Sequence, residues 1–236
     1  MKINTYGFKS PAVAIVGCVH GNEKIGAEVI QQLESTLKID STVKYVVANE
    51  EAMQLNQRFI SSDLNRSFPG DRYGTHEEQL AFALSNELYG VDYTFDLHST
   101  TAQTDDFIIT VGNNDLAQHY PLKKVVDMSG FASGVSLIEN VMLGIAIEYN
   151  RSTSADQIER QVRQCLVNLG LLEGSPGQAQ QEKYRVYGIL EESPMNKDLT
   201  LENFVETSFD GEIFIPILYG ELAYENILCL KARRIE

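Results

Sequence analysis

Short runs of hydrophobic residues alternate with segments whose apolar residues recur at helical spacing, up to about residue 172. The runs are rich in β-branched residues, as expected for strands buried on both faces. They cover residues 12–19, 43–48, 93–97, 107–111 and 141–147. Helices are predicted at 25–37, at 80–88 behind a capping box at 75–78, and at 155–169. Strands that alternate with helices predict an α/β fold with a mixed, largely parallel sheet flanked by helices.

The pattern changes after residue 172. Residues 173–183 contain turn-forming and polar residues, and we interpret them as a linker. Three further strand patterns follow without intervening helices, at 184–190, 213–218 and 227–232. We therefore expect an α/β domain at 1–172 and a small C-terminal β domain at 184–236.

Composition and charge restrict the class of protein. Of 236 residues, 43% are hydrophobic and 22% are charged, which is typical of a globular protein. The formal net charge of −14 argues against binding to nucleic acid or to an anionic membrane, since both require a cationic surface. No apolar run approaches the roughly 20 residues that cross a bilayer, and the first residues lack a secretory signal. We expect a cytoplasmic location, and a homo-oligomer is left open.

The three cysteines, Cys18, Cys165 and Cys229, are widely spaced and form no Cys-x-x-Cys pair. Neither a disulfide framework nor a thiolate metal site is indicated. We expect all three to be reduced and buried.

Two histidines and a glutamate follow predicted strands. His20 and Glu23 come after the first run, and His98 comes after the third. In open α/β sheets the carboxyl ends of the strands form the ligand crevice, so the three side chains are expected to meet there. Two imidazoles and a carboxylate leave a zinc ion one open position for water, which is typical of a hydrolytic site. We predict one Zn²⁺ per chain at this site.

A dense polar segment at 58–70 lies between the second run and the second helix. The guanidinium of Arg66 can bind a carboxylate with two parallel hydrogen bonds, and Asn65 can add a donor beside it. Arg58 can instead face the metal and stabilise the oxyanion that develops when a carbonyl is attacked. The alternative is that these residues form structural salt bridges to Asp63 or Asp71 within the loop.

Glu148 closes the apolar run at 144–147. A carboxylate in such a position is costly to bury without a partner or a task. Both a structural ion pair and a chemical role are compatible with the sequence.

In this order the residues resemble the aspartoacylase and succinylglutamate desuccinylase family of zinc hydrolases, relatives of the zinc carboxypeptidases. The resemblance covers most of the chain. It is carried by residues 17–23 with their His-Gly-Asn-Glu core, Arg58, Asp63-Leu64-Asn65-Arg66 with Phe68, Asp96-Leu97-His98, Glu148 after Ile147, and Glu221-Leu222-Ala223-Tyr224.

The resemblance implies a zinc carboxypeptidase-like fold whose first domain is catalytic and whose β domain caps the active site. It implies zinc on His20, Glu23 and His98. The implied roles of the other residues are Glu148 as general base, Arg58 as oxyanion stabiliser, Asn65 and Arg66 on the substrate carboxylate, and Tyr224 as a residue that completes the pocket. The reaction implied is hydrolysis of the amide bond of an N-acyl amino acid.

The chain departs from the aspartoacylase pattern before the catalytic glutamate. Members that cleave N-acetylaspartate carry an arginine there, whereas residues 125–148 contain no basic residue, and Arg151 is the substitute offered by the sequence. This departure puts selectivity for acidic amino acids in doubt but not capture of an α-carboxylate.

Three other functions are considered: a metallocarboxypeptidase acting on a peptide C-terminus, a non-catalytic metal-dependent binding protein, and a nucleotide-binding α/β domain. The last is weak because the first turn lacks a glycine-rich phosphate cradle.

Overall fold

A mixed β-sheet runs through the protein. The computed structural model describes residues 1–177, 179–223 and 225–235. The strands in this part of the chain are β1 (Lys2–Tyr6), β2 (Ala12–Gly17), β3 (Thr42–Val47), β4 (Tyr93–Thr100), β5 (Phe107–Thr110), β6 (Lys124–Asp127), β7 (Gly144–Asn150), β8 (Glu182–Glu191), β9 (Thr207–Phe209), β10 (Glu212–Ile217) and β11 (Ile227–Ile235). Their order in the sheet is β1-β3-β2-β4-β7-β5-β6-β8-β11-β10-β9.

Parallel pairing dominates the half of the sheet that carries the candidate ligands. Strands β3, β2, β4 and β7 are parallel to one another, and so are β5, β6 and β8. Antiparallel pairing joins β7 to β5, adds β1 at one edge, and connects β8, β11, β10 and β9 at the other. The prediction of a mixed α/β sheet is confirmed.

The helices connect and cover these strands. The α-helices of the described residues are α1 (Ile25–Thr36), α2 (Glu50–Gln54), α3 (His76–Leu88), α4 (Leu116–His119) and α5 (Ala155–Asn168), and short 3₁₀ helices occupy Leu64–Arg66, Ser129–Phe131 and Leu137–Glu139. The three helices expected from periodicity are therefore present. As the capping box predicted, α3 begins directly after Thr75, whose N–H donates to Glu78 Oε2 at 2.6 Å.

Different helices cover the two faces of the sheet. Val29 and Leu33 of α1 and Val162 of α5 pack on the face to which β2 contributes Val13 and Ile15. Ala81, Leu84 and Leu88 of α3 pack on the opposite face, together with Ala14 and Val16. The unbroken apolar runs thus belong to strands that are covered on both sides.

The last third of the chain extends the same sheet. The strands predicted in this region are present as β8, β10 and β11, and β8 pairs in parallel with β6. The division of the chain at 173–183 stays a prediction. Strands β1, β6 and β9 were not expected from the sequence. All three cysteines are free and buried, as predicted.

The strand ends differ from the sequence prediction where the candidate ligands lie. β2 ends at Gly17, and Cys18 turns the chain with a positive φ of 57°, which is uncommon for a residue other than glycine. β4 continues to Thr100 and β7 to Asn150, so His98 and Glu148 lie within strands and not after them. The two strands remain paired here, with His98 directly opposite Glu148. In the described ranges, no helix is long and apolar enough to cross a lipid bilayer.

Candidate metal centre and cavity

His20, Glu23 and His98 converge on one point and form a group that could hold a metal ion. Glu23 Oε1 lies 2.7 Å from His20 Nδ1, and Glu23 Oε2 lies 3.0 Å from His98 Nδ1. The two Nδ1 atoms are 3.2 Å apart. This separation is close to the about 3.3 Å expected for two nitrogens on one tetrahedral zinc with bonds of about 2.0–2.1 Å. All three side chains are buried.

The turn that carries His20 and Glu23 depends on Gly21. A Cβ atom at Gly21 would lie 2.3 Å from the carbonyl carbon of Ala52 in α2, which is far inside van der Waals contact. The Gly21 N–H donates to the carbonyl of Arg58 at 2.9 Å, and the Glu23 N–H donates to the carbonyl of His20 at 3.0 Å. A glycine at this position therefore lets the turn pack against α2 and against the loop that follows it.

Each histidine is held by a carboxylate on the ring nitrogen that faces away from the cluster. His98 Nε2 lies 2.8 Å from Asp96 Oδ2, and His20 Nε2 lies 3.1 Å from Asp63 Oδ1. If Nε2 carries the proton and donates to the carboxylate, Nδ1 is free to bind a metal. The partners fix the orientation of both rings and make them better ligands.

The cluster favours positive charge. Burial lowers the pKa of His98, but Asp96 and Glu23 outweigh it and hold that pKa well above its usual value. Burial raises the pKa of Glu23, and the two histidines outweigh it and bring the pKa well below its ordinary range. Such surroundings stabilise either protonated imidazoles or a bound cation, and a His-Glu-His donor set fits a zinc ion with one open position.

Arg58 contacts this cluster and the loop at the same time. Its Nη1 lies 3.3 Å from Glu23 Oε1, and its Nη2 lies 3.0 Å from Asp63 Oδ2. Nη2 also lies 2.8 Å from His20 Nε2. The salt bridge to Asp63 is the structural alternative considered from the sequence, and it coexists here with a position beside the candidate metal ligands.

Asn65 and Arg66 lie in the 3₁₀ helix that begins after Asp63, and both line the cavity beside the cluster. Asn65 Oδ1 accepts a hydrogen bond from the Leu137 N–H at 2.9 Å, which ties the loop to the segment before β7. Arg66 donates from Nη1 to the carbonyl of Asn65 at 2.8 Å. The residue is exposed to solvent. Its guanidinium remains available at the cavity wall.

Glu148 lines the cavity beside His98, its register partner on the adjacent strand. Burial raises the pKa of its carboxyl to about 7, with Glu23 and Glu221 adding to the increase and His98 opposing it. No donor among the described residues reaches this carboxylate. Glu221 also lines the cavity, but it is held by the Thr100 hydroxyl at 2.6 Å and by the Thr101 N–H at 2.8 Å.

The structure does not bring every predicted residue to the site. Arg151 is exposed in the turn that follows β7 and does not line the cavity. Tyr224 lies outside the described residues. The roles assigned to both stay predictions.

Three carboxylates beside the site were not assigned from the sequence: Asp63, Asp96 and Glu77. A signal existed for Asp96, since residues two apart in a strand share a face, and for Asp63, which lies in the polar segment. Glu77 was interpreted only as part of a capping box. It is fully buried and accepts hydrogen bonds from Asn49 Nδ2 and from the N–H groups of residues 60, 61 and 62.

Comparison with known proteins identifies the family of the chain. The model of the succinylglutamate desuccinylase/aspartoacylase catalytic domain family matches residues 9–131, and the chain belongs to this family. A probable aspartoacylase of Acaryochloris marina is 32% identical over 120 residues, which are 45% of this chain and 41% of that protein. A probable aspartoacylase of Prochlorococcus marinus is 24% identical over 276 aligned positions, covering 91% of this chain and 90% of that protein.

The same fold occurs in a solved structure. The crystal structure of murine aminoacylase 3 superposes with a TM-score of 0.74 at 21% identity and covers 97% of each chain. The chain thus matches the fold over nearly its whole length, whereas the Acaryochloris alignment spans about two fifths of that relative.

Proposed function

We propose that this protein is a zinc-dependent hydrolase that cleaves the amide bond of an N-acyl amino acid. The observation that carries the proposal is the convergence of His20, Glu23 and His98 at a cavity that Glu148 also lines. Family membership supports the reaction class. The donor set supports the metal, since a catalytic zinc typically has three protein ligands.

When bound, zinc supplies Lewis acidity to the scissile carbonyl and lowers the pKa of water toward about 7. The residues that hold it are His20, Glu23 and His98, with Asp63 and Asp96 orienting the rings. The buried donors and their carboxylate partners fit this group without further ligands from the described residues.

Glu148 moves the proton in this proposal. Its carboxylate takes a proton from the attacking water as the water oxygen bonds to the acyl carbon, and it then delivers that proton to the amide nitrogen as the C–N bond breaks. The products are a carboxylic acid and an amine, which at neutral pH become a carboxylate and an ammonium ion as the second water proton moves to the amine. A pKa of about 7 suits both directions of transfer near neutral pH.

The arginines divide between the reacting carbonyl and the substrate carboxylate. Arg58 lies within 3.3 Å of Glu23 and can stabilise the oxyanion that develops on the carbonyl. Arg66 and Asn65 can hold the α-carboxylate at the cavity wall. Tyr224 and Arg151 remain substrate-binding residues predicted from the sequence.

Metal analysis combined with a hydrolysis assay tests the proposal. We expect one zinc per purified chain, loss of hydrolysis of N-acyl amino acids after chelation, and recovery on adding zinc. The panel includes short peptides, so that a carboxypeptidase is revealed by release of the C-terminal residue. Tight binding of an N-acyl amino acid without turnover would instead indicate a metal-dependent binding protein. A cytoplasmic location and a possible homo-oligomer stay predictions.

A further inference from the structure

The cavity of about 340 Å³ is lined by charged and by apolar side chains. The charged part of the lining includes the metal-ligand cluster, Arg58 and Arg66. The apolar lining consists of partly exposed side chains of β5, β8 and the segments around them: Ile109, Val111, Met128, Val135, Ile138 and Ile189. When six apolar side chains line one cavity, displacement of water from them by an apolar group is favourable.

Part of the apolar lining belongs to the sheet. Ile109 of β5 and Ile189 of β8 are strand residues, and together with Met128 they pack against a buried cluster that includes Phe107 and Ile217. This part of the lining is therefore supported by the core of the fold.

Two basic side chains among the described residues line the cavity, and one of them is already paired. Among the described residues, Arg58 and Arg66 are the lysines or arginines that line it. Arg58 already pairs with Glu23 and Asp63, so Arg66 is left for one substrate carboxylate.

Two carboxylates at the cavity wall have their own partners within the chain. Glu139 accepts from the Ser136 hydroxyl at 2.7 Å and from the Gly134 N–H at 2.8 Å. Glu221 accepts from Thr100 and Thr101. A second negative group on the substrate would meet these carboxylates without a cation to compensate, which is unfavourable in a site of low dielectric constant.

We infer that the substrate carries a single carboxylate and an apolar group that packs against the apolar lining of the cavity. This inference rests on the proposed hydrolase function and narrows its substrate class away from aspartate- and glutamate-derived amides. The apolar group can be the amino-acid side chain or the acyl chain, and both satisfy the same surface.

A matched substrate series separates these possibilities in the zinc-loaded wild-type protein. N-acetylglycine is the reference, N-acetylleucine extends the side chain, and N-octanoylglycine extends the acyl chain. N-acetylaspartate and N-succinylglutamate add the second carboxylate. We expect kcat/KM for at least one extended apolar substrate to exceed that for both acidic substrates by about 100-fold or more, because one methylene alone is worth about 10- to 200-fold in an apolar pocket.

The apolar substrate with the higher kcat/KM shows whether the amino-acid side chain or the acyl chain packs against the apolar lining. A faster reaction with either acidic substrate than with both apolar ones would overturn the inference and leave the proposed function intact. If no substrate of the series is hydrolysed, both the inference and the proposed function are overturned.

Two variants test the residues at the cavity. Phe131 lines it and is 41% exposed, so Phe131→Ala is compatible with folding and is expected to lower kcat/KM for the preferred apolar substrate about 10-fold, with N-acetylglycine changed less than about twofold. Tyr89→Ala, at an aromatic residue that is 91% exposed and does not line the cavity, is the matched control.

Ser133→Lys tests the charge argument. Ser133 is an exposed residue of the lining, so the new ammonium group need not be buried. We expect it to raise the ratio of kcat/KM for N-acetylaspartate over that for N-acetylleucine at least about fivefold, because it supplies the missing cation. The inference would be contradicted if folded Ser133→Lys had an unchanged ratio and Phe131→Ala also kept the wild-type preference for the apolar substrate. The apolar lining would then not contact the substrate.

Discussion

Two glutamates near the candidate metal centre lie in opposite environments. Glu77, at the start of α3, is fully buried and its carboxylate accepts four hydrogen bonds, from Asn49 and from three successive backbone N–H groups. Glu148, in β7, has no donor among the described residues and lines the cavity. Burial acts on both, but it raises the pKa of Glu148 to about 7, whereas the donors around Glu77 outweigh it and lower that pKa.

The difference separates a structural carboxylate from the carboxylate that we propose as general base. The hydrogen bonds to Glu77 stabilise its charge and hold the chain between Arg58 and Asp63 in one conformation. The unsatisfied carboxylate of Glu148 can exchange a proton near neutral pH. Residue type does not distinguish the two, and the number of hydrogen-bond donors that reach each carboxylate does.

The largest expected effect is the loss of activity in Glu148→Gln. An isosteric amide cannot accept the water proton, so kcat/KM should fall by about 100- to 10,000-fold. The bound zinc should remain at one per chain and the melting temperature should not decrease, since no donor loses its acceptor. A variant that retains more than a tenth of the wild-type rate would remove Glu148 from the role of general base.

Glu77→Gln should act on stability first. The amide offers one acceptor oxygen and two unwanted donors, so at least two of the buried donors lose their partner, at a cost of about 2–4 kcal/mol in the free energy of unfolding. Denaturant unfolding measures this cost, with Glu28→Gln, at an exposed glutamate in the first turn of α1, as the control. Equal stability of Glu77→Gln and wild type would show that the four hydrogen bonds do not organise the loop.

The two regions meet at Gly21, whose N–H donates to the Arg58 carbonyl. In Gly21→Ala the new methyl group would overlap α2 at Ala52, and we expect a loss of about 1–3 kcal/mol in the free energy of unfolding. Zinc affinity should fall as well, because the turn that aligns His20 with Glu23 has to move. Competition with a chelating dye measures the affinity. Gly177→Ala is the control, because Gly177 also lacks a positive φ and its Cβ would meet no atom closer than 3.7 Å.

The smallest effect is the pH dependence of the Glu77 contribution. The folded-state pKa is lowered, so the stabilisation is complete above the unfolded pKa of about 4.3 and is lost as pH falls through the folded value. The stability difference between wild type and Glu77→Gln should therefore be constant between about pH 7 and 5 and should shrink below about pH 4. A difference that grows on acidification would contradict a lowered pKa.

Much of the fold follows from periodicity in the sequence. The runs that became β2, β3, β4, β5 and β7, and the helical spacing of α1 and α5, are long or strongly patterned and were predicted correctly. β1 was not expected, because Lys2–Tyr6 is an edge strand with only partial burial. β6, Lys124–Asp127, has only two hydrophobic residues between a lysine and an aspartate, so no apolar run marks it as a strand.

The candidate ligands could be proposed from their positions after apolar runs, whereas their partners could not. Glu77 contacts the loop 15 to 17 residues before it through the tertiary arrangement of α3, and no local spacing encodes this contact. The apolar lining of the cavity combines residues of β5, β8 and the segment 128–138, which are brought together only by the order of strands in the sheet. Arrangements of this kind depend on topology and not on motifs.

The direct pairing of His98 with Glu148 has an evolutionary consequence. Adjacent strands of any sheet are about 4.8 Å apart, so the backbone distance between this ligand and the glutamate is a constant of β-structure and does not depend on connecting loops. Insertions and deletions in those loops can therefore reshape the entrance of the cavity while the backbone spacing of His98 and Glu148 stays the same. The substrates that the cavity admits can change without a change in the geometry of the groups proposed to react.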